Sequence, residues 1–261
     1  MLAPAERAYL QAHFRLRRSG EADIRSLTAS ALLDAETCRR MLTTIMPLTG
    51  APDLAITASL FVKRLAFLTT GNVLYAMSVF DKGLILSLSE TQLEYAHDNG
   101  LWTSSLSADI TESLAPDRGR EQWRAVIVGA LFKDFLSPLL NSLSQVSGIP
   151  LQILWENIAV RVYSLYQGRM DSLDPQQEQR RQTDYNWLLT QADESVFGLP
   201  WNPLKRFNRP LKQNIAGKKI RFRRTCCFYY KATSPVEYCH NCPLLITKEK
   251  DVKIGKAIKN K

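Results

Sequence analysis

Cysteine is scarce in this chain, with five in 261 residues. Small secreted scaffolds held by disulfides are shorter and richer in cysteine, so that class does not fit. A chain of this length also buries enough core to need no staple. Long apolar runs are lacking too. No stretch approaches the roughly 20 apolar residues of a membrane span, and the best candidate, LAITASLFVKRLAFLTT, is broken by Lys63 and Arg64. The opening MLAPAERAYLQAHFRLRRSG is interrupted by Glu6 and Arg7 before any apolar run develops, so it does not read as a secretion signal. These absences lead us to expect a cytoplasmic protein with no transmembrane segment. Internal repeats are absent, as are Ser-His-Asp, H-E-x-x-H and phosphate-loop signatures.

Acidic residues are missing from one whole segment. Residues 205–224, KRFNRPLKQNIAGKKIRFRR, carry many Lys and Arg and no Asp or Glu, and they lead directly to Cys226. The tail TKEKDVKIGKAIKNK is also basic, and the net charge is +9. Such a balance suits nucleic acid, anionic lipid, an acidic protein or an anionic small molecule. Otherwise the composition is ordinary for a globular protein, with 45% hydrophobic and 23% charged residues.

Apolar periodicity predicts an α+β fold, mostly helical, with a small β hairpin or sheet and a separate C-terminal cysteine segment. Residues 1–18, 20–48 and 53–69 read as mainly helical, with a turn at Pro47 and Gly50. NVLYAMSVFDKGLILSLS has β-branched and aromatic residues on both sides of Asp81-Lys82-Gly83 and reads as a hairpin near 71–90. Residues 94–120 read as a loop region with short elements. The clearest stripe comprises Trp123, Val126, Ile127, Ala130, Leu131, Phe135, Leu139, Leu140 and Leu143, with a kink expected at Pro138. A second helix from Pro150 to Gly168 completes an antiparallel helical hairpin. Residues 174–194 form a polar helix, and GKKIRFRRTCCFYY alternates like a strand. We divide the chain into a mainly helical domain at 1–200, a basic segment at 201–247 that holds the cysteines, and a disordered basic tail at 248–261.

Four of the five cysteines fall in TCCFYYKATSPVEYCHNC. Cys239 and Cys242 have the C-x-x-C spacing of a zinc knuckle, whereas adjacent Cys226 and Cys227 would reach one ion only with distorted backbone. A 2Fe-2S cluster takes four cysteines, two per iron, over a wider perimeter. A dithiol redox pair would leave Cys226 and Cys227 without a role. Spacing alone leaves iron–sulfur and zinc both open. His240 reads as a solvent-facing loop residue, and Cys38, on an amphipathic helix, as a small core residue.

The R-R-T-C-C of Arg223 to Cys227, the C-x-x-C of Cys239 and Cys242, and WENIAVRVYSLY with Trp155 and Asn157 together resemble the FhuF-type ferric-siderophore reductases. The resemblance covers roughly residues 120–242. In this chain eleven residues separate the cysteine pairs rather than the family's ten, and the chain continues beyond Cys242. The N-terminal hundred residues carry no matching motif. The resemblance implies a 2Fe-2S cluster held by Cys226, Cys227, Cys239 and Cys242. It also implies one-electron reduction of siderophore-bound iron(III), with release of iron(II) in the cytoplasm. The partners would be a ferric siderophore and an electron donor, either a ferredoxin, a flavin or an NAD(P)H-dependent protein, with no nucleic acid. No catalytic side chain is needed beyond the cluster.

On that reading Arg221, Arg223 and Arg224 stabilise the reduced cluster or attract an anionic complex, and Arg161 is a further anion contact. Trp155 is assigned to the substrate, although it, Tyr163, Tyr166 and Trp201 also suit a core. Two alternatives stand. One is a zinc-stabilised nucleic-acid binder that stacks bases on Phe207, Phe222, Phe228, Tyr229 and Tyr230. The other is a non-catalytic siderophore-binding protein, since the helical region is similar to the C-terminal part of aerobactin-type siderophore synthetases.

Overall fold

The computed structural model describes residues 1–18, 20, 25–108, 110–213 and 217–246. Its helices start where the sequence satisfies or removes free N–H groups. Pro4 opens α1 (Pro4–Phe14). Asp34 accepts from the Thr37 N–H at the head of α2 (Ala35–Ile45), and Asp53 from the Ile56 N–H at the head of α3 (Leu54–Tyr75), both at 2.8 Å. One long run holds α4 (Arg120–Gly129), a wide π-helical turn (Ala130–Leu136) and α5 (Ser137–Ser147). Pro138 stands just after the wide turn, which accommodates its missing donor, and Gly148 ends the run at φ 74°. Then follow α6 (Leu151–Gly168), α7 (Pro175–Thr190), capped by Asp174 and Gln177, and the short α8 (Pro203–Phe207), capped by Asn202.

The strands are short. They are β1 (Leu16–Arg17), β2 (Ser26–Thr28), β3 (Lys82–Ile85), β4 (Thr91–Glu94), β5 (His97–Asp98), β6 (Leu101–Trp102), β7 (Leu106–Ala108), β8 (Thr111–Leu114), β9 (Lys212–Gln213) and β10 (Lys219–Ile220). One sheet has the order β1-β7-β4-β2, with β1 parallel to β7 and the other pairs antiparallel. Its register sets Leu93 opposite both Leu27 and Leu106. The remaining pairs, β3 with β8, β5 with β6 and β9 with β10, are antiparallel.

Two expectations are corrected. No hairpin spans 71–90: residues 71–75 finish α3, a π-helical turn covers Ala76–Phe80, and β3 pairs with the distant β8. Val73, Leu74, Tyr75, Met77 and Val79 are all buried, and burial on every side suits a core helix as well as a strand. Residues 94–120 are mostly loop with short elements, as expected; those elements are β5 to β8, and Asn99 and Gly100, both at positive φ, turn β5 into β6. The strand-like alternation of 217–230 survives only at β10. The basic tail at 248–261 lies outside the described residues.

At the centre α3 packs along α6. Gly71 lets α3 approach α1, because any side chain there would collide with the Phe14 ring. Two helices, Leu54–Phe80 and Arg120–Ser147, are long and apolar enough to cross a membrane by length and composition. Most of each apolar window, 72% and 61%, is buried against the rest of the fold, so the apolar surface belongs to the core. At the far side of the core Asp184 is buried and joins Arg120, Arg124 and Ser78.

Candidate metal centre

Residues 221–246 are largely irregular, so the helices beneath must fix their shape. Glu156 on α6 does most of this. It is 1% exposed, and its carboxylate accepts from the Arg224 N–H at 2.6 Å and the Thr225 N–H at 2.7 Å. It also accepts from the Thr225 hydroxyl, and the buried Arg223 guanidinium lies 3.8 Å away. Arg223 donates back to the Thr225 carbonyl at 3.1 Å. Its own N–H donates to the Asn241 carbonyl at 3.0 Å, tying R-R-T-C-C to the C-x-x-C turn. That turn is closed by the Cys242 N–H on the Cys239 carbonyl at 3.0 Å.

A second link runs through Asn157 and Ser59. The Asn157 amide donates to the Ser59 carbonyl and hydroxyl oxygens, and the Ser59 hydroxyl donates to the Cys227 carbonyl at 2.9 Å. Trp155, one residue before Glu156, points instead into the core against Phe132.

These links gather the thiols. The Cys227 and Cys239 Sγ atoms are 3.5 Å apart, and the Phe228 N–H donates to the Cys226 Sγ at 3.3 Å. Cys227 and Cys242 are buried, whereas Cys226 and Cys239 are half-buried. The hydrogen bond shared with Cys239, then the charges of Lys63 and Arg223, hold the Cys227 thiol down to about 5, while the same bond pushes Cys239 up. Among the described residues no three His, Cys, Asp or Glu side chains converge as ligands of a single ion would. Paired thiols with a backbone N–H on sulfur and two cations nearby fit a thiolate-ligated iron–sulfur group.

Two clefts flank this site. The larger, about 680 Å³, is lined by Lys63, Arg64, Phe67, Trp102, Arg161 and Arg169, among others, and reaches Tyr229 beside the cysteines. The Lys63 ammonium lies over the Tyr229 ring, 4.7 Å from its centre, and 3.9 Å from the Cys227 Sγ. Burial holds Arg161 below its ordinary value and lowers Arg64 to about 10. The smaller cleft, about 390 Å³, shares Lys63 and Arg161 and opens on Arg221, Arg223, Cys239 and His240.

The predicted contacts divide. Arg161 lines both clefts. Arg221 lines the smaller one, stacked over Tyr163 at 4.7 Å and donating to Gln167 at 2.8 Å. Arg224 is exposed and contributes its backbone N–H to Glu156. Arg223 is 2% exposed and braces the cysteine loop, so a surface role is corrected to a structural one. Trp155, at 0% exposure, is core and cannot touch a substrate; Tyr163 and Tyr166 are buried as well. Phe207 and Phe222, proposed to stack bases, are also buried. Sequence reasoning missed Glu156, Ser59 and the cleft role of Lys63. A lone carboxylate within LWENIAV was the available signal, because a buried charge needs partners.

A family described as "Ferric iron reductase FhuF-like transporter" matches residues 59–212, and "FhuF 2Fe-2S C-terminal domain" matches residues 223–244. No curated protein matches the chain. Among solved structures, aerobactin synthetase IucC from a hypervirulent pathotype of Klebsiella pneumoniae shares the fold, with a TM-score of 0.50 at 13% identity. The similarity covers 70% of this chain but only 36% of the synthetase. The chain belongs to the FhuF-like ferric iron reductase family, and its cofactor is a 2Fe-2S cluster.

Proposed function

We propose that the protein is a ferric-siderophore reductase whose cluster is held by Cys226, Cys227, Cys239 and Cys242. The observation that supports this is the Glu156 and Asn157–Ser59 scaffold, which holds the R-R-T-C-C stretch on the helices and, through the Arg223 N–H on the Asn241 carbonyl, joins it to the C-x-x-C turn beside a cleft large enough for a chelate. The 2Fe-2S group supplies a one-electron carrier when bound. Overall, one electron from a reduced ferredoxin, flavin or NAD(P)H-dependent protein converts siderophore iron(III) to iron(II). Iron(II) is less charged and softer, and the hard hydroxamate or catecholate oxygens release it.

The chain's own residues position and insulate. Glu156 holds the cysteine loop on α6, and Ser59 holds the Cys227 carbonyl on α3. Lys63, between Cys227 and the larger cleft, places positive charge where negative thiolates and a ligand come close. A nucleophile or general base has no part, since no covalent bond of the chelator breaks. We place the reaction in the cytoplasm, where freed iron(II) would be used.

The test begins with anaerobically purified protein. Iron and zinc are counted, and visible and EPR spectra are recorded before and after dithionite. Two irons per chain, bleaching and a 2Fe-2S signal are expected. Reduced protein is then mixed with ferric siderophores and a ferrous-iron trap. Stoichiometric zinc after attempted reconstitution, or no iron(II) from any chelate, would overturn the proposal.

A further inference from the structure

We propose that the larger cleft selects ferric chelates of net negative charge. The inference rests on the reductase reading, because it names the substrate class of that site.

Lys63, Arg64, Arg161 and Arg169 line the cleft, and no Asp or Glu shares the lining. Their polar contacts among the described residues are to neutral groups or to sulfur. Arg64 donates to the Ser104 hydroxyl at 2.7 Å and to the Ser104 carbonyl, and Arg161 to the Lys63 carbonyl at 3.3 Å. Arg169 sits over the Phe67 ring at 5.3 Å, and Lys63 reaches the Tyr229 ring and the Cys227 sulfur. Elsewhere the same fold gives a buried cation its carboxylate: Arg120 and Arg124 share Asp184, and Arg223 lies against Glu156. Cations gathered with no carboxylate among them, three half-buried and Arg169 exposed, repel one another, a cost that a polyanionic ligand removes.

Chelate chemistry then sets the class. Three catecholates leave iron(III) as a trianion, and added carboxylates also leave a negative complex. Three hydroxamates leave a neutral one. Trp102 adds an aromatic wall to the cleft, while the Phe67 and Tyr229 rings carry its cations. Lys63, standing between Cys227 and the cleft, offsets the repulsion that an anionic complex would meet from the thiolates.

The experiment uses redox-inert gallium(III) in place of iron(III), so binding is read without turnover. Holoprotein is titrated calorimetrically with a gallium tris-catecholate and a gallium tris-hydroxamate at low and high salt. The anionic complex should bind at least roughly ten-fold tighter and lose that advantage in salt. Arg169→Gln, at an exposed position away from the thiols, should weaken the anionic complex roughly ten-fold and the neutral complex much less. Equal affinity for both complexes, or a catecholate affinity indifferent to Arg169→Gln, overturns the inference. The two readings fail separately. If chelates bind as expected but reduced protein yields no iron(II), the reductase reading falls and the charge preference stands. If neutral complexes bind and are reduced equally well, the preference falls and the reductase reading stands.

Discussion

Glu156→Gln tests whether one buried carboxylate holds the cysteine loop. The substitution keeps the side chain's size but removes its charge and replaces one acceptor oxygen with a donor. One oxygen now accepts from the Arg224 N–H, and the other from the Thr225 N–H and hydroxyl, with Arg223 at 3.8 Å. In the variant an amide NH₂ must face one of those donors, and Arg223, already buried with its Nη2 unpartnered, loses its counter-charge. Charge-assisted hydrogen bonds contribute about 1.5–3 kcal/mol each, and stripping one partner from a buried pair costs about 3–5 kcal/mol. The penalty for seating the loop should therefore be about 3–5 kcal/mol. It falls on residues 223–242, because Glu156 otherwise sits in a helix whose apolar face is intact. We expect the purified variant to hold little iron and to lose the remainder to a chelator at least roughly a hundred-fold faster. Far-UV circular dichroism should stay helical. Full iron content with an unchanged rate of loss to chelator would refute the scaffold argument.

Cys226→Ser and Cys242→Ser should each abolish the visible spectrum while the helical part stays folded, and either variant retaining the full spectrum counts against the ligand set. Ser59→Ala removes the bond to the Cys227 carbonyl and leaves the Asn157 amide short of an acceptor; about 1 kcal/mol of loop stability should go, read as faster cluster loss. Asp184→Asn leaves Arg120 and Arg124 without their shared counter-charge and should destabilise the whole fold by about 3–5 kcal/mol in urea melts, with iron content per folded molecule unchanged. Hydrogen bonds from Arg181, then Gln182, hold the Glu178 carboxyl down to about 2 from its ordinary 4.5. Because the folded value is depressed, this contribution is present above 4.5 and is lost as pH falls towards 2, so Glu178→Gln should flatten the melting temperature across that window.

The helices were legible wherever apolar residues formed a stripe of helical period, as in α4 to α6. Residues 72–80 were misread because Val73, Tyr75, Val79 and Phe80 favour strands, a preference that burial inside a helical core overrode. The four-stranded sheet was not legible, because its strands run two to four residues and pair Leu16 with Leu106 across the chain. The Asn99-Gly100 turn was there to be read and was passed over. At the site, clustering made the cysteines visible. Trp155 and Asn157 drew notice as a motif, yet the residue that grips the loop is Glu156 between them.

The same residue spacing explains how one helix pair serves both the cysteine loop and the cleft. Residues four apart on a helix share a face. On α3, Ser59 holds the Cys227 carbonyl, Lys63 stands one turn further along between Cys227 and the cleft, and Phe67 lines the cleft one turn beyond. On α6, Asn157 braces Ser59 and Arg161, one turn on, lines the cleft. Lys63 and Arg161 are therefore set by the same turns that position the loop. A shift of either helix along its axis would displace the thiols and the cations together, so the distance between the thiols and the cleft cations is built into the α3–α6 packing rather than into the irregular segment above it.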